Sequence, residues 1–124
     1  IHSYRPHLHM RGKVMTMEAI FPDGRKEVLS QVNKYNHNWQ ISYLYADDAK
    51  PLLPKGTVLQ FTSVFDNTVN NPLNPDPEQW VVFGLRGVDE MSHAWVGITY
   101  MNEEQFAEAV TERRARQEIL TVSK

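Results

Sequence analysis

Two stretches of this chain alternate in side-chain character with a period of two, and this constrains the fold more than any other feature. Over Lys13 to Phe21, Met15, Met17, Ala19 and Phe21 share one face, and Val14, Thr16, Glu18 and Ile20 share the other. Over Thr57 to Phe65, Leu59, Phe61, Ser63 and Phe65 alternate with Val58, Gln60, Thr62 and Val64. A period of two is that of a strand. Pro22-Asp23-Gly24 closes the first stretch as a turn in which glycine supplies a positive φ, so Glu27 to Val32 can return as its hairpin partner. Asn38 to Tyr45, Trp80 to Phe83 and Glu90 to Tyr100 are further strand candidates. Pro51 to Gly56 is a loop ending in a Lys-Gly turn, and Asp66 to Gln79, dense in Asn and Pro, is irregular. Only at Asn102 does the period change. Asn102 can cap a helix, Gln105 stands at the capping-box position, and Phe106, Val110, Arg113 and Arg114 fit a short helix running towards Leu120. Short strands separated by turns every ten residues or so, followed by one late helix, predict an all-β fold. The expected architecture is an antiparallel, jelly-roll-like β-sandwich over residues 1–102 with a helical tail over 103–124.

The chain has 124 residues, enough for one domain and too few for two. Apolar residues make up 41%, so a core can form. Thirteen basic residues against fifteen acidic ones leave no basic excess, which argues against a nucleic-acid or membrane-surface partner. No run approaches the ~18 apolar residues of a membrane span. The opening Ile1-His2-Ser3-Tyr4 has no signal-peptide pattern, as in a mature chain or an excised domain. There are no cysteines. Disulfides, thiolate metal sites and cysteine nucleophiles are therefore excluded, and a metal would have to be held by His, Met, Asp, Glu or backbone.

His7-Leu8-His9 carries the first chemical signal. On a strand these two histidines face one way, about 6.5 Å apart by strand rise, so two imidazoles can converge on one ion while Leu8 turns away. Pro6 lacks a backbone donor and suggests a strand start or an edge. His2 and His37 have no spacing that ties them to this pair, and His37, within Asn36-His37-Asn38, is expected as a solvated turn residue. No serine lies in a nucleophile-elbow setting. The acidic pairs Asp47-Asp48, Asp89-Glu90 and Glu103-Glu104 are sequence neighbours, which face opposite sides of a strand, so they do not form a general acid and base. The Asn/Asp-rich loop offers oxygen ligands for calcium but lacks the spacing of a calcium loop.

A second motif lies about eighty residues after the first: Val88-Asp89-Glu90-Met91, followed by an apolar strand ending Thr99-Tyr100-Met101. Together with Ser3-Tyr4-Arg5-Pro6-His7-Leu8-His9-Met10-Arg11-Gly12, it resembles the C-terminal catalytic domain of the ascorbate-dependent copper monooxygenases, the family of peptidylglycine α-hydroxylating monooxygenase and dopamine β-monooxygenase. The resemblance covers roughly residues 3 to 102, and the Trp39 segment and Asn70-Asn71-Pro72-Leu73-Asn74-Pro75 are similar to bacterial members. It implies one copper ion held by His7, His9 and Met91, an open position that admits oxygen, and hydroxylation of a C–H bond with ascorbate or another external reductant. Two imidazoles and a thioether form a soft, neutral set that suits copper, Cu(I) above all. The resemblance also implies Arg5 near a substrate carboxylate and places His93 and Trp95 beside a small-molecule substrate. The peptide enzyme has asparagine and tyrosine at those two positions, so peptide-amide chemistry does not carry over. The family's disulfide cysteines are missing, and so is its N-terminal three-histidine domain with the second copper. A second copper domain or a redox protein is the implied partner, and a periplasmic or secreted location the implied compartment. Two other readings stay open: a single-copper binding or electron-transfer module beside a redox partner, and a structural β-sandwich without metal.

Overall fold

The computed structural model describes residues 1–122, which form six strands and one helix. The strands are β1 (Ser3–Leu8), β2 (Gly12–Ile20), β3 (Lys26–Val32), β4 (Tyr43–Leu44), β5 (Val58–Phe65) and β6 (Ser92–Gly97), and α1 spans Glu103–Val122. The last two positions of the expected helical tail, 123 and 124, lie outside the described residues. The strands make two three-stranded antiparallel sheets, β4-β1-β6 and β3-β2-β5. The fold is thus mostly β, compatible with the small sandwich expected from the alternation.

The two sheets meet over a small core of Tyr4, Leu8, Met15, Met17 and Tyr35, against which Leu29, Val32, Phe65, Ala94 and Val96 pack. The alternation of β2 is realised as read, with Met15, Met17 and Ala19 buried. The hairpin closes at Gly24, whose φ of 84° suits glycine, with Asp23 accepting the Arg25 N–H. The tight passage from β1 to β2 is set by a hydrogen bond from the Gly12 N–H to the His9 carbonyl, 2.9 Å. A Cβ on Gly12 would stand 2.3 Å from the Leu8 Cβ, so only glycine lets the chain fold back over this core leucine.

Three expected strands are shorter than their patterns, and Glu90 to Tyr100 keeps only Ser92–Gly97. Asn38 to Tyr45 pairs only at Tyr43 and Leu44, because the Trp39 N–H bonds back to Asn36 and the Gln40 side chain turns to His37. Trp80 to Phe83 contributes a single bridge, Phe83 to Glu90. Its apolar side chains find no face to pack on: Trp80 stays 94% exposed, and Val82 and Phe83 are exposed as well. Pro6 is not at a strand start: it sits mid-way along the central strand β1. The position tolerates proline because β4 pairs only with Ser3 and Tyr4, leaving one side of β1 without a neighbouring strand from Arg5 onward.

The capping box forms in both directions, Gln105 N–H to Asn102 Oδ1 at 2.8 Å and Asn102 N–H to Gln105 Oε1 at 3.0 Å. The helix turns Phe106, Ala109, Val110 and Arg113 inward, and Arg113 donates to the Lys50 carbonyl. None of its length is apolar enough to cross a membrane.

Candidate metal centre

The register of β1 against β6 assembles the site's face. Arg5 stands opposite Trp95 and His7 opposite His93. Carried one step past the strand ends, the same register sets His9 opposite Met91, and the His9 N–H approaches the Met91 carbonyl at 3.4 Å. Directly opposed residues of an antiparallel pair point to the same face. Tyr4, Pro6 and Leu8 point into the core, so Arg5, His7 and His9 look the other way, with His93, Trp95 and Met91 across from them. Two motifs about eighty residues apart in sequence are thus neighbours in space. The Arg5 guanidinium lies 5.3 Å from the centre of the Trp95 ring, and Trp95 makes edge contacts with His93 and His7 at 4.4 and 5.9 Å between ring centres.

The imidazoles of His7 and His9 stand edge to face with centres 5.2 Å apart. Each is oriented by a bond at Nδ1. His7 Nδ1 lies 2.6 Å from Gln40 Oε1, and Gln40 Nε2 donates to the His37 carbonyl, which fixes the amide with its oxygen towards His7. His9 Nδ1 lies 3.1 Å from the Asp89 carbonyl. Both partners are oxygen acceptors, so each neutral ring carries its proton on Nδ1 and keeps a lone pair on Nε2. Acceptors behind a histidine select the tautomer in this way at metal centres.

His37 does not behave as a solvated turn residue. Its ring is half-buried, with centres 6.0 Å from His9 and 6.5 Å from His7, and its Nδ1 bonds the Leu8 carbonyl at 3.1 Å. The Tyr35 hydroxyl donates to the same carbonyl and accepts from the Leu8 N–H. Tyr35 and His37 therefore satisfy the stretch of β1 that β4 leaves unpaired. His2 lies away from this group, bonded through Nε2 to Thr99 Oγ1. Among the described residues, no three or more His, Asp or Glu side chains stand as a ready-formed metal-holding group.

Two straps hold the Met91 side of the site. Arg11 is 2% exposed and donates to Asn74 Oδ1 and to the Val88 carbonyl. Asp89 accepts from the Arg86 guanidinium and backbone N–H, and these bonds hold its carboxyl below the usual carboxylate range. The Asn-rich loop is bound through the same oxygens that a calcium ion would need: Asn71 Oδ1 takes Lys13 Nζ at 2.8 Å, and Asn74 Oδ1 takes Arg11. Loop anchoring by cations is the role the structure gives these side chains.

Sequence reading singled out His7, His9 and Met91 as candidate ligands and Arg5, His93 and Trp95 as candidate substrate contacts, and the β1–β6 register places these residues beside one another. It missed Gln40, His37 and Arg11, whose roles come from contacts 29 to 77 residues away in sequence. No family model, curated protein or solved structure matches the chain.

Proposed function

We propose that the chain binds one copper ion through His7 and His9, with Met91 as a thioether ligand, and serves as the oxygen-activating domain of a copper-dependent monooxygenase. The observation that carries this is the pair of rings 5.2 Å apart, both fastened at Nδ1 and both left with a free Nε2, beside the backbone of Met91. Two imidazoles bound through Nε2 to one ion at about 2 Å put their centres about 4.5–5.5 Å apart at ordinary bond angles. The His7 and His9 rings already meet that requirement.

The donor set fits the ion. Neutral imidazoles and a thioether select copper over zinc or magnesium, and carboxylates are absent from the proposed set. A copper ion held there would supply one-electron redox chemistry towards dioxygen. Gln40 and the Asp89 carbonyl fix the two rings. Arg5, laid against Trp95, would receive an anionic group of the substrate, and His93 would flank it. The overall reaction would insert one oxygen atom into a C–H bond and release the other as water, with two electrons drawn from ascorbate or a protein reductant and two protons from ascorbate or solvent.

Metal analysis of purified protein tests the reading. One copper per chain is expected, with tight binding lost in His7→Ala and in His9→Ala. Full copper in the His7→Ala/His9→Ala double variant refutes it. Met91→Leu should lower Cu(I) affinity while Cu(II) affinity holds, because soft sulfur favours the reduced ion.

A further inference from the structure

We propose that His37 is a third imidazole ligand, used by the oxidised ion. The inference rests on the copper reading above and adds a residue that the His-x-His and Asp-Glu-Met motifs do not contain.

Three observations converge. First, the His37 ring lies beside both rings of the pair, 6.0 Å from His9 and 6.5 Å from His7. Secondly, it is fastened at Nδ1 as the other two are, here by the backbone carbonyl of Leu8, which lies between the two candidate ligands in sequence. Its Nε2 is therefore a free lone pair, as at His7 and His9. Thirdly, the residue beside that Nε2 is Gly87, where a Cβ would come into van der Waals contact with it at 3.8 Å, so glycine keeps this flank clear of a side chain.

The geometry calls for a small movement. Bringing the His37 centre from 6.0 and 6.5 Å to the 5.2 Å seen for the other pair means closing by about 1 Å. The ring sits in the Asn36–Trp39 turn, outside the sheets, and that turn can shift without breaking a strand ladder. Gln40 ties the movement to the site, since its amide bridges the His37 carbonyl and His7 Nδ1.

The oxidation-state preference follows from ligand chemistry. Cu(II) favours three or four nitrogen or oxygen ligands in a tetragonal plane, whereas Cu(I) is content with two imidazoles and sulfur. A third imidazole whose ring must move inward before it can bind, and does so only when the ion demands it, would therefore stabilise the oxidised state selectively.

The test compares wild type with His37→Ala and His37→Asn, titrating Cu(I) and Cu(II) separately and recording pulsed electron paramagnetic resonance of the Cu(II) form. In His37→Asn the side-chain amide occupies the place of Nδ1 and can keep the bond to Leu8 but has nothing at Nε2, so it separates ligation from folding. Both variants should bind Cu(II) about 10- to 100-fold more weakly, lose one of three imidazole nitrogens from the spectrum and leave Cu(I) affinity within about twofold. Two nitrogens in the wild-type spectrum, or an unchanged spectrum in both variants, overturns the assignment while leaving the His7–His9 site intact. Restored Cu(II) affinity in His37→Asn also overturns it, by showing that only the bond to Leu8 matters. Failure of the wild type to bind copper removes both readings together.

Discussion

Replacing Arg11 by methionine tests how far the candidate site depends on a strap that touches no proposed ligand. The guanidinium is buried and makes two bonds to loop oxygens, Asn74 Oδ1 at 2.8 Å and the Val88 carbonyl. Bonds from a charged donor are worth about 1.5–3 kcal/mol each, a gross loss of about 3–6 kcal/mol. Two effects reduce it. Asn74 is only half-buried and Val88 exposed, so both acceptors can recover water, and the cost of burying the guanidinium itself disappears. Methionine fills much of the volume. A net loss of about 1–3 kcal/mol remains, about 3–5 °C in melting temperature per kcal/mol for a chain of this size. The consequence for the site is larger than the one for stability. Val88 adjoins Asp89, whose carbonyl holds His9 Nδ1, so a loosened loop frees the ring, and copper affinity should fall about tenfold as for other outer-shell changes. Urea unfolding followed by circular dichroism, paired with copper titration, measures both. Arg11→Lys should fall between, since an ammonium cannot span both oxygens as a guanidinium does. An Arg11→Met protein with the wild-type urea midpoint and wild-type copper affinity would refute the idea that this strap supports the site.

Three further outcomes are expected. Tyr4 is fully buried and its hydroxyl has no hydrogen-bond partner among the described residues, so Tyr4→Phe should raise stability by about 1 kcal/mol, with a lowered melting temperature counting against this account. Asn102→Ala removes the cap of α1 and should cost about 1 kcal/mol of helix stability, read as earlier hydrogen exchange in the first turn; unchanged exchange there would show that the cap contributes nothing. Burial raises the pKa of Tyr4, Tyr35 and Tyr45 above the ordinary value of 10.0. A raised folded-state value favours the neutral phenol, so this stabilisation is complete below about pH 10 and is lost as pH climbs from there towards the folded values. Phenolate absorbance should therefore reach its five-tyrosine maximum only as the β signal in circular dichroism collapses, and full ionisation in the folded protein would contradict it.

What could be read from sequence was local. The alternation of β2 and β5, the turn at Gly24 and the reciprocal bonds of Asn102 and Gln105 depend on residues a few positions apart, and each formed as the pattern implied. Asn38 to Tyr45 had the pattern of a strand, but the side chains of Asn36 and Gln40 bond to nearby backbone groups and compete with the ladder. His7 and His9 were visible because strand spacing alone aligns them. His37 was not, because nothing in Asn36-His37-Asn38 reveals that its ring meets the carbonyl of Leu8. The same is true of Arg11, whose burial and bonds to Asn74 and Val88 depend on loops more than sixty residues away.

The position of Tyr35 and His37 on the unpaired side of β1 has a thermodynamic consequence. The rings and their supports come from three separate stretches, residues 7–11, 35–40 and 87–95, which meet only when β1 and β6 have paired and the intervening loops have closed over them. In the unfolded chain only the His7–His9 pair remains close, so a bound copper ion would have a weak local site there and the whole constellation in the native state. By linkage, the difference between those two affinities appears as folding free energy. An ion present at about one hundred times its native dissociation constant adds about 2.7 kcal/mol, less whatever the unfolded pair retains. Copper would then act on this small core as a late-closing clasp, and the melting temperature of the loaded protein should rise with the logarithm of free metal.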